Sequence, residues 1–77
     1  MTNVTIEYCV PCGFLDRAET VQHALLTSLG EDLDAVTLET GEKGVFRVRV
    51  DGETIYDKDA DGDYDADELV ATVRDRL

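Results

Sequence analysis

The sequence predicts an α/β fold of two layers, in which two helices cover a four-stranded mixed sheet in the order β-α-β-β-β-α. Three observations predict this fold. Alternating apolar residues mark the strands, apolar residues at three- and four-residue spacing mark the helices, and Asp51-Gly52 marks a tight hairpin. Because the chain has 77 residues, we expect one domain spanning residues 1–77.

The first half of the chain reads as a strand, a helix and a second strand. Val4, Ile6 and Tyr8 alternate with polar residues, and so do Val36 and Leu38. Between them, apolar residues recur at helical spacing: Phe14, Ala18, Val21, Leu25 and Leu29. Strands joined through a crossover helix are parallel and the connection is right-handed, so we expect these two strands to pair in parallel.

The second half of the chain reads as a hairpin followed by a helix. A third strand contains Phe46, Val48 and Val50, and a fourth covers residues 53–56. Asp51-Gly52 lies between them and favours a type I′ turn, which needs positive φ at both residues. The last helix is marked by apolar residues at helical spacing: Ala66, Leu69, Val70, Val73 and Leu77.

The charge of the chain narrows the classes of partner. Eighteen acidic residues oppose seven basic ones, giving a net charge of −11, so nucleic acid is not expected to bind. The 43% of apolar residues recur at regular periods, which argues for a folded core rather than disorder. Such acidic surfaces resemble those of extreme halophiles, so we predict a halophilic, cytoplasmic protein; an ordinary acidic domain is the alternative.

No apolar run approaches the ~18 residues of a membrane span, and no secretory signal is expected.

Two cysteines, Cys9 and Cys12, form a Cys-Val-Pro-Cys motif between the first strand and the first helix. A bond across so short a loop constrains the unfolded chain little, so a purely structural disulfide is disfavoured. A helix N-terminus favours anions, and a thiolate there is a good nucleophile. Pro11 suits an early helical position, and the second cysteine can resolve a mixed disulfide. We therefore interpret Cys9 and Cys12 as the catalytic residues of a redox protein.

Metal binding through the same cysteines is the alternative. Two thiols cannot complete a tetrahedral zinc site, and the single histidine, His23, lies too far along the predicted helix to join them. Zinc shared between the thiols of two chains, and two inert buried thiols, remain open. We assign no metal ligand and no cofactor.

The sequence resembles the Rdx family of thioredoxin-like proteins, to which selenoprotein W belongs. Three segments carry the resemblance: residues 6–14 around the CxxC motif, residues 44–56, and Gly62-Asp63-Tyr64. The resemblance implies a thioredoxin-like fold without a helix between the second and third strands, and a thiol oxidoreductase or redox-sensing role with protein thiols or glutathione as partners. It also implies that the Gly44-Val45 backbone faces the motif, where thioredoxin carries a cis-proline.

The role of each cysteine stays open at this level. Helix-terminus electrostatics and the thioredoxin pattern favour Cys9 as the attacking thiol, with Cys12 resolving the mixed disulfide. In the selenoprotein members, selenocysteine stands in the place of Cys12, which favours the opposite assignment. We prefer Cys9 as the nucleophile on the sequence alone, and interpret Tyr8 and Phe14 as core residues that flank the motif.

Residues 57–68 match the calcium-binding loop of an EF-hand, D-x-[DN]-x-[DN]-G-x5-E. The ligands would be Asp57, Asp59, Asp61, the Asp63 carbonyl, Asp65 and Glu68. However, a strand rather than a helix precedes the segment, and Asp is common throughout the chain. We expect Asp65 to cap the last helix instead. A non-catalytic acidic module, binding Ca²⁺ here or metal through the two thiols, is the alternative function.

Overall fold

A computed structural model describes residues 2–62 and 65–77 of the chain. Its elements are β1 (Asn3–Cys9), α1 (Leu15–Leu29), β2 (Ala35–Gly41), β3 (Phe46–Val50), β4 (Glu53–Asp57), α2 (Lys58–Asp61) and α3 (Ala66–Arg74). The strands pair in the order β2-β1-β3-β4, with β1 and β2 parallel and the other two pairs antiparallel. The predicted α/β fold with a four-stranded mixed sheet is confirmed.

Both predicted helices are present as α1 and α3, and the described residues contain in addition a short helix, α2, that follows β4 directly. The Asp57 carboxylate accepts a hydrogen bond from the Asp59 amide at 3.0 Å and so caps this single helical turn. No residue of α2 is buried, and the turn therefore has no apolar periodicity from which the sequence could predict it.

The core lies between the sheet and the two longer helices, α1 and α3, which contact each other. Buried residues of β1, α1, β3 and α3 join in one cluster that includes Val4, Ile6, Ala18, Val21, Leu25, Phe46, Val48, Leu69 and Val73. These are the positions that the alternating and helical patterns predicted. Within the residues that the structure describes, no helix is both long and apolar enough to cross a membrane.

The Asp51-Gly52 hairpin is also confirmed. Asp51 has φ of 51° and Gly52 has φ of 88°, the two positive values that a type I′ turn requires. The turn is tied to the start of β1, since the Asp51 amide donates to the Asn3 carbonyl at 2.8 Å and the Asn3 amide donates to Asp51 Oδ1 at 2.9 Å. The hairpin therefore sets the register of β3 against β1 at the end of the sheet away from the cysteines.

Candidate functional site

Cys9 is the last residue of β1 and is only 2% exposed. Its backbone is held on both sides, because Cys9 pairs in register with Gly41 of β2 and its amide donates to the Val45 carbonyl at 2.8 Å. The expectation that the Gly44-Val45 backbone faces the motif is thus confirmed at Val45. The sheet therefore fixes the first cysteine in a buried, ordered position.

Gly41 lets the neighbouring side chains close over this end of the sheet. A Cβ at Gly41 would collide with Val45 Cγ1 and would lie 3.0 Å from Glu7 Cγ, closer than side-chain carbons normally approach. Val45 is itself buried, and its carbonyl is the one that binds Cys9. The missing side chain at Gly41 is consequently part of how Cys9 is enclosed.

Replacing Gly41 by alanine should destabilise the protein by about 1–3 kcal/mol, since overpacking forces Val45 or the β2 backbone to move. Urea denaturation measures the change in the free energy of unfolding. Thr40→Ala is the control at the exposed neighbouring position, where we expect a change within about 0.5 kcal/mol. Equal stability of the two variants would contradict the close contact at Gly41.

Cys12, in contrast to the buried Cys9, is exposed in a turn before the helix. The Gly13 amide donates to the Val10 carbonyl at 3.2 Å and closes this turn. α1 begins only at Leu15, with Phe14 as its N-cap, so the prediction that Pro11 occupies an early helical position is wrong. Cys12, and not Cys9, is therefore the cysteine nearer to the helix N-terminus.

The two cysteines are joined as a disulfide, with their Cα atoms 5.4 Å apart, a usual separation for such a bond. One half of the bond belongs to the buried end of a strand and the other to an exposed turn. Cys12 is therefore accessible to solvent, while Cys9 is sheltered from it. In this oxidised state neither sulfur is a free thiolate ligand for zinc.

Phe14 attaches the turn at residues 10–13, here called the redox turn, to the core. Its ring packs edge-on against Phe46 with centroids 6.0 Å apart, and Phe46 packs in the same way against Tyr56 at 6.3 Å. Phe14 is half-buried and Tyr8 is buried, so both flanking aromatic residues belong to the core, as predicted. The position of the turn consequently depends on an aromatic contact with β3.

Two cations lie over the Phe14 ring, and the sequence patterns predicted neither of them as a residue of the site. The Arg17 guanidinium carbon is 5.3 Å from the ring centroid, and Lys58 Nζ is 5.6 Å from it. Arg17 follows Phe14 by three residues on α1, a spacing that places neighbours on one helix face. Lys58 begins α2 and is brought here only by the tertiary fold.

The sheet face that the helices leave open carries a network of ion pairs across all four strands. Arg47 contacts Glu7 and Asp57, each at 3.3 Å, while Arg49 contacts Glu7 at 3.5 Å and Glu39 at 2.9 Å. These side chains are 20–52% exposed, so each pair contributes only about 0.2–1 kcal/mol. The network nevertheless occupies both arginines of β3.

In the described part of residues 57–68, the acidic side chains do not form a calcium-binding loop. Asp57 caps α2, Asp61 Oδ2 accepts from the Asp57 amide, and Asp65 caps α3 by accepting from the Asp67 amide at 2.9 Å. The predicted capping role of Asp65 is thus confirmed. Asp63 and Tyr64 lie outside the described residues. Across residues 2–62 and 65–77, no group of three or more His, Cys, Asp or Glu side chains could hold a metal ion, and His23 is exposed on α1.

Solved structures of other proteins share this fold over almost the whole chain, and a curated protein shares part of the sequence. A crystal structure from Bordetella parapertussis is 38% identical, with a TM-score of 0.95, and covers 99% of this chain and 98% of that one. A selenoprotein W-related protein from Vibrio cholerae is 27% identical, with a TM-score of 0.92, and covers 96% and 94%. Mouse (Mus musculus) Migration and invasion enhancer 1 is 27% identical over 64 residues, which cover 80% of this chain and 52% of that protein. The chain thus spans about half the length of this curated relative.

The family follows from a match to nearly the full length of the sequence. The model described as "Rdx family" matches residues 3–75, a range that contains both cysteines and every strand. Together with the CxxC pair, this match supports a redox role of the thioredoxin-like kind. The chain belongs to the Rdx family.

Proposed function

We propose that the protein exchanges disulfides through Cys9 and Cys12, taking protein thiols or glutathione as partners. The observation that carries the proposal is the asymmetry of the pair. Cys12 is exposed in a turn before α1, whereas Cys9 is 2% exposed at the end of β1 and bonded to it. An accessible thiol beside a sheltered partner is the arrangement that attack followed by resolution needs. A reversible pair of this kind suits a reducing cytoplasm, where we place the reaction.

The geometry favours Cys12 as the attacking thiol, whereas the sequence alone favoured Cys9. In the reduced protein, the Cys12 thiolate attacks one sulfur of a partner disulfide, forms a mixed disulfide and releases the other partner sulfur as a thiolate. Cys9 then loses its proton and attacks Cys12 Sγ, which forms the Cys9–Cys12 bond and releases the second partner thiolate. The protein is oxidised by two electrons and the partner disulfide is reduced to two thiols.

A redox titration in dithiol and glutathione buffers tests this function. We expect one two-electron transition at a potential between about −270 and −120 mV, the range of exchange-active CxxC pairs. Cys12→Ser protein is the control and should show no intramolecular transition. A potential below about −300 mV would mark the bond as structural and would contradict the proposal.

A further inference from the structure

Two of the few basic side chains of this acidic protein, one on α1 and one on α2, contact the Phe14 ring that follows the redox turn. The chain has seven Lys and Arg residues against eighteen acidic ones. Three arginines, Arg47, Arg49 and Arg76, form ion pairs with carboxylates. Within the described part of the chain, neither Arg17 nor Lys58 has a carboxylate oxygen within 4 Å, and both lie on the Phe14 ring instead. Their charges are therefore available to a ligand.

Asp57, one of the two acidic residues adjacent to Lys58 in the sequence, is already engaged. Asp57 accepts hydrogen bonds from Arg47 Nε at 3.3 Å and from the Asp59 amide at 3.0 Å. Its carboxylate consequently belongs to the ion-pair network and to the cap of α2. Lys58 instead lies against the face of Phe14, which attracts a cation.

Apolar side chains border the same turn. Val10 is 50% exposed and Leu15 is 44% exposed, and they precede and follow Cys12 in the sequence. We call these two residues, together with Arg17 and Lys58, the turn surface. It combines an apolar part with two positive charges on the ring of Phe14, two residues after Cys12, and this chemistry fits a ligand with a short carbon chain and a carboxylate.

We propose that Arg17 and Lys58 bind a carboxylate of a small disulfide and so position its sulfur for attack by Cys12. This inference rests on the proposed function and names its substrate class. A small ligand fits better than an acidic protein, because repulsion by the net charge of −11 grows with the total charge of the partner. The electrostatic energy of one or two carboxylates close to the turn depends mainly on the nearest cations, because salt screens the more distant charges.

The reaction with such a ligand is balanced within the proposed exchange. The Cys12 thiolate displaces one carboxylate-bearing thiolate from the disulfide and keeps the other half as a mixed disulfide. Cys9 then displaces that half, so that one disulfide becomes two thiols while the protein dithiol becomes the Cys9–Cys12 disulfide. Arg17 and Lys58 are specificity-determining residues here and take no part in the electron transfer.

Exchange rates with three disulfides of different charge test the proposal. The reduced protein is mixed at low ionic strength with anionic 3,3′-dithiodipropionate, neutral bis(2-hydroxyethyl) disulfide and cationic cystamine. The ratio of the anionic to the neutral rate constant is measured for the wild type and for the Arg17→Gln/Lys58→Gln variant. We expect this ratio to fall about tenfold in the variant, as the loss of two nearby unit charges implies. In 1 M KCl the difference should vanish.

Lys43→Gln/Arg74→Gln is the matched control, since it also removes one lysine and one arginine but neither lies on the Phe14 ring. Its anionic-to-neutral ratio should change less than twofold. An equal fall in the control, or an equal slowing with all three disulfides in the Arg17/Lys58 variant, would overturn the docking role while leaving exchange intact. A disulfide-linked peptide with several glutamates should react more slowly than dithiodipropionate, and a faster reaction would overturn the choice of a small ligand. If the wild type did not react with the neutral disulfide, the proposed function itself would fail.

Discussion

Reduced Cys9→Ser protein, which keeps Cys12, should be alkylated by iodoacetamide at least about tenfold faster than Cys12→Ser protein, which keeps Cys9. Cys12 is exposed, whereas Cys9 is 2% exposed and its amide is bonded to the Val45 carbonyl. Alkylation of Cys9 requires the end of β1 to open, and an opening cost of about 1.4 kcal/mol already slows labelling tenfold. Mass spectrometry of timed, quenched samples near neutral pH gives both rates.

The same two variants should separate the steps of exchange. Cys9→Ser protein should accumulate a mixed disulfide at Cys12, because the resolving thiol is absent, and Cys12→Ser protein should form little. Labelling both variants in concentrated guanidinium is the control, since unfolding should bring the two alkylation rates close together. Faster labelling of Cys9 than of Cys12 in the folded protein would restore Cys9 as the attacking thiol.

Replacing Phe46 by alanine should lower the free energy of unfolding by about 3–5 kcal/mol. Phe46 is 1% exposed, and its ring packs against both Phe14 and Tyr56, so truncation leaves a cavity between the redox turn and β4. A domain of this size has a total stability of only about 4–12 kcal/mol, and a large share of it would be lost. Urea denaturation followed by circular dichroism measures the change.

Phe46→Leu is the matched variant, because it removes the aromatic contacts but leaves a smaller cavity, and it should cost less than Phe46→Ala. A lower midpoint at unchanged denaturant dependence would identify the loss as stability and not as a change in the unfolded state. A loss below about 1 kcal/mol for Phe46→Ala would contradict the central place of this ring in the core.

Local patterns were sufficient for most of the fold. The alternation of Val4, Ile6 and Tyr8 predicted a strand with one buried face, and these three side chains are buried in β1. Asp51-Gly52 predicted the hairpin because few residue pairs accept positive φ at both positions. In each case the pattern lies in residues close together in the sequence. It therefore predicts the element without knowledge of the tertiary contacts that the element makes.

Other features left no local signal. α2 buries nothing, so its single turn has no apolar period, and it depends on one carboxylate cap at Asp57. The start of α1 was predicted too early, since the turn around Cys12 is closed by a Val10 carbonyl contact that residue types do not indicate. The EF-hand pattern shows the opposite case, in which matching residue types serve as helix caps at Asp57 and Asp65.

The sequence by itself determined the order of the strands and longer helices, the hairpin and the place of the CxxC motif between β1 and α1, because these depend on local periodicity and turn chemistry. Only the tertiary structure decided which cysteine is exposed. Cys9 is enclosed by Gly41 and Val45, which come from a different part of the chain, while Cys12 is exposed. Lys58 likewise reaches Phe14 only because the sheet brings the end of β4 beside the redox turn. The burial of Cys9 and the position of Lys58 are thus set by contacts distant in sequence.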